Sequence, residues 1–169
     1  SFGEYIMEIR SPEKEVEYKA VFDDEGNLKL KKKTEIKRGR RSRASGARFE
    51  LKVREDLENK NWVVDKWSNN VDLEEGRVVA AKKNWKFNPH RKIMMPSAQG
   101  TGFPDFIAIQ LLSEGRYNVI GVEVKVNGLL SKEEKEKCKW LLENNIFSKI
   151  FIASKGKKGE IIYKEFKNE

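Results

Sequence analysis

The sequence predicts an α/β fold, a mixed central sheet flanked by helices, with a β-hairpin extension at the N-terminal end. Three observations carry this expectation. Phe49, Val53 and Leu57 recur at steps of four, which marks one face of a helix. Two runs rich in β-branched and aromatic residues, 102–109 and 119–126, flank the turn signal Ser113-Glu-Gly-Arg116 and read as a central hairpin. Behind them Ser131-Lys-Glu-Glu134 has the capping-box pattern that opens a helix, and 149–154 reads as a buried strand.

Taken in order, 15–36 reads as the N-terminal hairpin, with arms 16–22 and 28–36 about the turn 23–27. The Arg/Gly/Ser stretch up to Gly46 reads as a mobile basic linker, and the first helix is expected over 47–59. Trp62-Val-Val64 starts a strand. Residues 65–101 are expected to hold a strand or two and a long loop. The second helix buries Cys138, Leu141 and Leu142 and stops at Asn144-Asn145. A turn over 155–159 leads to an edge strand at 160–166. From residue 47 the order is α-β-(β)-β-β-α-β-β, which suits a mixed sheet covered by helices. The chain thus divides into an extension, 1–44, and a main domain, 45–169.

At 169 residues the chain is long enough for a core of its own. Charged residues nearly match hydrophobic ones, 37% against 38%, as in a soluble and highly charged protein. No apolar run approaches a membrane span and no leader pattern is visible, so no membrane partner is expected. The single cysteine excludes an internal disulfide framework and fits the cytoplasm; Cys138 is expected to be a core thiol. One histidine, His90, excludes a His/Cys zinc cluster and a catalytic triad.

The net charge of +8 is concentrated. Residues 31–43 hold eight basic residues and one acid, among them Lys37, Arg38, Arg40, Arg41 and Arg43. A second stretch, 82–92, carries Lys82, Lys83, Lys86, Arg91 and Lys92 with no acid, and interleaves Trp85 and Phe87. Such tracts imply a polyanion partner, nucleic acid being the commonest, although a solvated lysine-rich surface has the same spelling.

The most informative residues lie in the central hairpin. Asp105 follows Pro104, and Glu123-Val124-Lys125 closes the second arm. Folding at residues 114 and 115 pairs Asp105 with Glu123 or Val124, and strand alternation sets Glu123 and Lys125 on one face. Ionisable groups among β-branched residues are costly unless used. Two carboxylates and an ammonium at one end of a hairpin form a site for a hard divalent cation beside a phosphodiester; an ordinary hairpin with a solvated edge is the rival reading. Mg²⁺ or Mn²⁺ would be held by Asp105 and Glu123, with the Val124 carbonyl as a further oxygen, and Lys125 would orient water or offset developing charge. Ser97 and Gln99 are weaker candidates for phosphate contact.

This order of elements and motifs resembles the PD-(D/E)XK nuclease superfamily, and within it the archaeal Holliday-junction resolvases and related virus-type nucleases. The resemblance covers 45 to about 166. Gly46-Ala-Arg-Phe-Glu50 is similar to the first-helix motif, Pro104-Asp105 and Glu123-Val-Lys125 to the core motif, and 134–154 to the helix and strand that follow. The chain departs from the resolvases in a longer segment before Pro104 and in residues 1–44. The resemblance implies a restriction-endonuclease-like fold, a catalytic set completed by Glu50, and a metal-dependent endonuclease hydrolysing DNA phosphodiester bonds. It also implies a homodimer with a preference for branched or duplex DNA structure over sequence, and no small-molecule cofactor. A non-catalytic nucleic-acid-binding module on the same fold is the alternative, and an RNA nuclease a third.

Overall fold

The computed structural model describes residues 16–100 and 102–168. Strands β1 (Tyr18–Phe22) and β2 (Leu28–Lys32) form the expected N-terminal hairpin, with Gly26 at φ 90° supplying the left-handed turn residue. Helix α1 then runs from Lys33 to Asn59 as one 27-residue element. Strand β3 is Val63–Lys66; β4 (Asn69–Asp72) and β5 (Arg77–Ala80) make a second hairpin, and β6 (Lys83–Asn88) and β7 (Ile93–Gly100) a third. Next come β8 (Phe106–Ser113), β9 (Arg116–Val124), α2 (Lys132–Glu143), β10 (Lys149–Lys155) and β11 (Ile161–Glu165).

The α/β architecture is built on a mixed five-stranded sheet in the order β11-β10-β9-β8-β3. All neighbours are antiparallel except β9 and β10, which are joined through α2. A parallel pair needs such a crossover, and a helix is its usual form. The two helices cover opposite faces. Phe49, Val53 and Leu57 of α1 pack with Val64, Phe106, Ala108, Ile120 and Val122. Cys138 and Leu141 of α2 pack with Phe103, Phe147, Ile150 and Ile152. Burying a Leu, Val or Ile contributes about 1.5–3 kcal/mol, so each helix is held by its apolar stripe. Cys138 is the core thiol the sequence suggests, and burial pushes it up to about 12, which leaves it inert.

Two expectations are corrected. The second hairpin arm stops at Lys32 instead of reaching residue 36, and the stretch up to Gly46 is not a linker: helix α1 begins at Lys33 rather than near Ala47. Lys, Arg, Ala and Glu favour helix, and no proline interrupts them; Gly39, Ser42 and Gly46 weaken the segment without ending it. The apolar stripe begins only at Phe49, and no residue from Lys33 to Arg48 is buried, so periodicity could not report the earlier turns. The second correction concerns 65–101, where hairpins replace the long loop. Gly76 at φ 62° makes one tight turn. In the other, Asn88 accepts the backbone N–H groups of His90 and Arg91 (2.9 and 3.1 Å), and Lys92 sits at φ 52°. Strands such as Asn69-Asn-Val-Asp72 have too little alternation to be read from sequence.

The approach to Asp105 depends on one glycine. A Cβ on Gly102 would lie 1.8 Å from the backbone oxygen of Trp67. The two segments are stitched together by Phe103 N–H to Asn69 O (2.8 Å) and Trp67 N–H to Asp105 O (3.0 Å). Neither backbone can yield without breaking these bonds. Gly102→Ala should therefore destabilise the fold by about 2–4 kcal/mol, read as a lowered denaturant midpoint. An unchanged midpoint would mean that the close approach is absent.

Candidate carboxylate and lysine site

Strand register creates the site. Phe106 pairs with Val122 across β8 and β9, so Asp105 comes alongside Glu123. The turn falls at Glu114-Gly115, with Ser113 opposite Arg116, as the sequence suggests. The Asp105 N–H donates to Glu123 Oε2 (3.1 Å), and the Val124 N–H donates to Asp105 Oδ2 (2.8 Å). Pro104, fully buried, packs against Gly121, where any Cβ would fall 2.8 Å from its ring.

Glu123 is the one buried charged residue among those described, with 5% of its surface exposed. Burial raises its carboxyl first, the charge of Asp105 adds to this, and Lys125 only partly opposes them; Glu123 stands at about 9. Burial also raises Asp105; the Val124 amide works against this and the charge of Glu50 adds to it. The two carboxyls hydrogen-bond each other, so near neutral pH the pair holds a proton between them.

Lys125 faces the pair, its Nζ 3.6 Å from Glu123 Oε1 and 2.5 Å from Glu134 Oε1. Burial alone would lower the Lys125 ammonium, but the Glu134 hydrogen bond and the charge of Glu123 outweigh that and raise it. Lys125 therefore stays charged. Glu134 was legible in the sequence only as a capping residue. It does cap α2, accepting the Ser131 N–H (2.7 Å) while Ser131 Oγ accepts the Glu134 N–H (3.2 Å). Its second oxygen holds Lys125. Burial opposes the Glu134 charge, but the bonds from Lys125 and Ser131 keep its carboxyl below the usual range.

Glu50 stands half-buried on α1, pairs with Lys66 at 3.5 Å, and lies within electrostatic reach of Asp105. Lys66 escaped the sequence reading because a lysine at a strand end carries no motif. Among the described residues no three Asp, Glu, His or Cys side chains are close enough to form a metal cage as they stand. What converges is a pair of carboxylates. Their chemistry fits a hard cation: all donors are oxygens, both lie at the end of adjacent strands, and the two ammonium groups near them are shared, Lys125 with Glu134 and Lys66 with Glu50. Val124 enters the site through its amide, bound to Asp105.

The basic candidates lie elsewhere. Lys37, Arg38, Arg40, Arg41 and Arg43 are exposed on the N-terminal half of α1. Lys82, Lys83, Lys86, Arg91 and Lys92 are exposed at the start of β6, along it and in its turn. Phe87 packs on Phe22, ring centroids 5.3 Å apart, while Trp85 is exposed. The side chains of Ser97 and Gln99 lie outside the described residues.

No family model, no curated protein and no solved structure matches this chain. Among the described residues no helix is long and apolar enough to cross a membrane.

Proposed function

We propose that this protein is a metal-dependent endonuclease that hydrolyses DNA phosphodiester bonds, with a restriction-endonuclease-like fold of the PD-(D/E)XK type. One observation carries the reading: the β8–β9 register sets Asp105 beside Glu123, with Lys125 on the same face. Helices on opposite faces of a mixed sheet and a parallel β9–β10 step agree with that fold. Holding a buried and a half-buried carboxylate side by side is costly unless a cation offsets them. Asp105 and Glu123 would hold Mg²⁺ or Mn²⁺, the Val124 carbonyl would add an oxygen, and Glu50 would serve from the rim. The cation would supply Lewis acidity and a lowered water pKa at the scissile phosphate. Lys125, kept charged and aimed by Glu134, would steady negative charge on the phosphoryl oxygens during attack.

The test is a gel: labelled linear, flapped and four-way DNA incubated with the protein in Mg²⁺ and in EDTA. Cutting in Mg²⁺ alone is expected. Binding without cutting in either buffer would favour the alternative, a nucleic-acid-binding module on the same fold.

The basic half of α1 would grip the DNA backbone as an exposed helix. Replacing Arg38, Arg40, Arg41 and Arg43 by Gln should flatten the salt dependence of binding. The log–log slope should fall by about one for each phosphate that the helix no longer neutralises. Cleavage at saturating DNA should persist, and an unchanged slope would make the tract a solubilising segment. The reading also carries a homodimer and residence in the cytoplasm. Trp85, Ile93 and Met94 leave β6–β7 with exposed apolar surface suited to a two-fold contact. A monomeric mass in light scattering at micromolar concentration would remove the dimer.

A further inference from the structure

A cleft of about 920 Å³ lies between α2 and β11, outside both basic stretches. Lys132, Lys135 and Lys139 recur at three- and four-residue steps along α2, so they share one helical face, which forms one rim. Lys164 and Lys167 form the other. All five are exposed. Of these five, only Lys139 has an ion pair within the described residues, with Glu143 at 3.8 Å. Glu136 and Glu165 are the cleft's acids, so positive charge prevails. Half-buried Leu130 and Phe166, backed by the buried Ile152, line the cleft with an apolar floor.

Strand register ties this cleft to the carboxylates. Glu123 pairs with Ile152 across β9 and β10, and Ile152 pairs with Lys164 across β10 and β11. Directly paired residues share a face, so Glu123, Ile152 and Lys164 form one row, with Lys164 about 10 Å from Glu123 at the backbone. Glu134 in the first turn of α2 holds Lys125, so the Lys132 end of the cleft lies beside the site and the cleft runs away from it along the helix.

We infer that the cleft binds single-stranded nucleic acid, as a segment leading to the Asp105 and Glu123 pair. Lysine rims match the phosphates of a strand, and the apolar floor matches its unpaired bases. A duplex hides its bases and would leave the floor uncovered. The place to which the strand leads rests on the nuclease reading; binding in the cleft does not. If both hold, the substrates are DNAs with a single-stranded arm beside the cleaved bond.

The test uses the full chain in EDTA, where no cutting intervenes. Fluorescein-labelled oligothymidylate and a duplex of equal length are titrated into the unaltered protein and into Lys135→Glu/Lys164→Glu. The variant should bind oligothymidylate about tenfold more weakly while its duplex affinity moves much less. Equal losses would show general electrostatics and overturn the proposal, as would an unchanged oligothymidylate affinity. Crosslinking the unaltered chain with bromodeoxyuridine-substituted oligothymidylate should give adducts at Phe166 or within 128–135. Adducts confined to 33–46 or 82–92 would also overturn it. Polyglutamate sensitive to the same double substitution, with oligothymidylate indifferent to it, would assign the cleft to an acidic protein instead. Cleavage in Mg²⁺ is scored separately. A chain that never cuts but binds as described loses the nuclease reading and keeps the cleft; one that cuts but fails these tests loses only the cleft.

Discussion

Asp105→Asn and Glu123→Gln should each abolish cleavage in Mg²⁺ while the protein stays folded. A neutral amide is a poor ligand for a hard cation, and loss of the cation removes several kcal/mol of transition-state stabilisation, a fall of about a thousandfold or more. Lys125→Ala should separate chemistry from binding: cleavage falls sharply, DNA affinity changes little, because one charge among many is removed. Single-turnover rates at saturating DNA, with affinity measured in EDTA, make the distinction. Full activity in both carboxylate variants would end the nuclease reading. Equal losses of rate and affinity in Lys125→Ala would recast that residue as a phosphate anchor.

The second large effect is on stability, and it turns on Glu123. Its carboxyl stands at about 9 in the folded protein, against an ordinary value of 4.5. Between these values the unfolded chain has released a proton that the folded chain retains. Stability in this window falls as pH rises, and the contribution present below about 4.5 is gone above about 9. Asp105, raised in the same way, acts in the same direction. Glu123→Gln keeps the shape and hydrogen-bonding capacity of the protonated acid but cannot ionise. At pH 8 without metal it should be more stable than the parent by about 2–4 kcal/mol, or roughly 5–10 °C in Tm, and nearly equal at pH 5. Mg²⁺ should reverse the order by selecting the ionised pair of the parent. Melting curves at the two pH values, with and without Mg²⁺, check this; a gap that does not widen with pH would show that the pair is not buried as a proton-sharing unit.

These expectations depend on residues whose places in the fold were legible to different degrees. Asp105, Glu123 and Lys125 were readable because a strand alternates with a period of two residues and the turn at Glu114-Gly115 fixes the register. The stripe of Phe49, Val53 and Leu57 was readable for the same kind of reason, a helical period written in apolar residues. The capping box at Ser131 and Glu134 was equally local. Where the apolar signal lapses, reading failed. The exposed first turns of α1 looked like the end of a hairpin arm up to residue 36 and like a linker from there to Gly46, and the hairpins within 65–101 looked like a strand or two and a long loop.

The sequence by itself determined the helices that carry an apolar stripe, the central hairpin, and the identity of the carboxylates and lysine at its end. These rest on interactions between residues near in sequence or related by one turn. Tertiary structure alone decided that Glu134 holds Lys125, that Lys66 meets Glu50, and that Gly102 must remain bare beneath Trp67. It also decided that α2 and β11 enclose a basic cleft in the row of Glu123. Each of these depends on how the packed sheet and helices bring separate elements together, and no local periodicity records such distances.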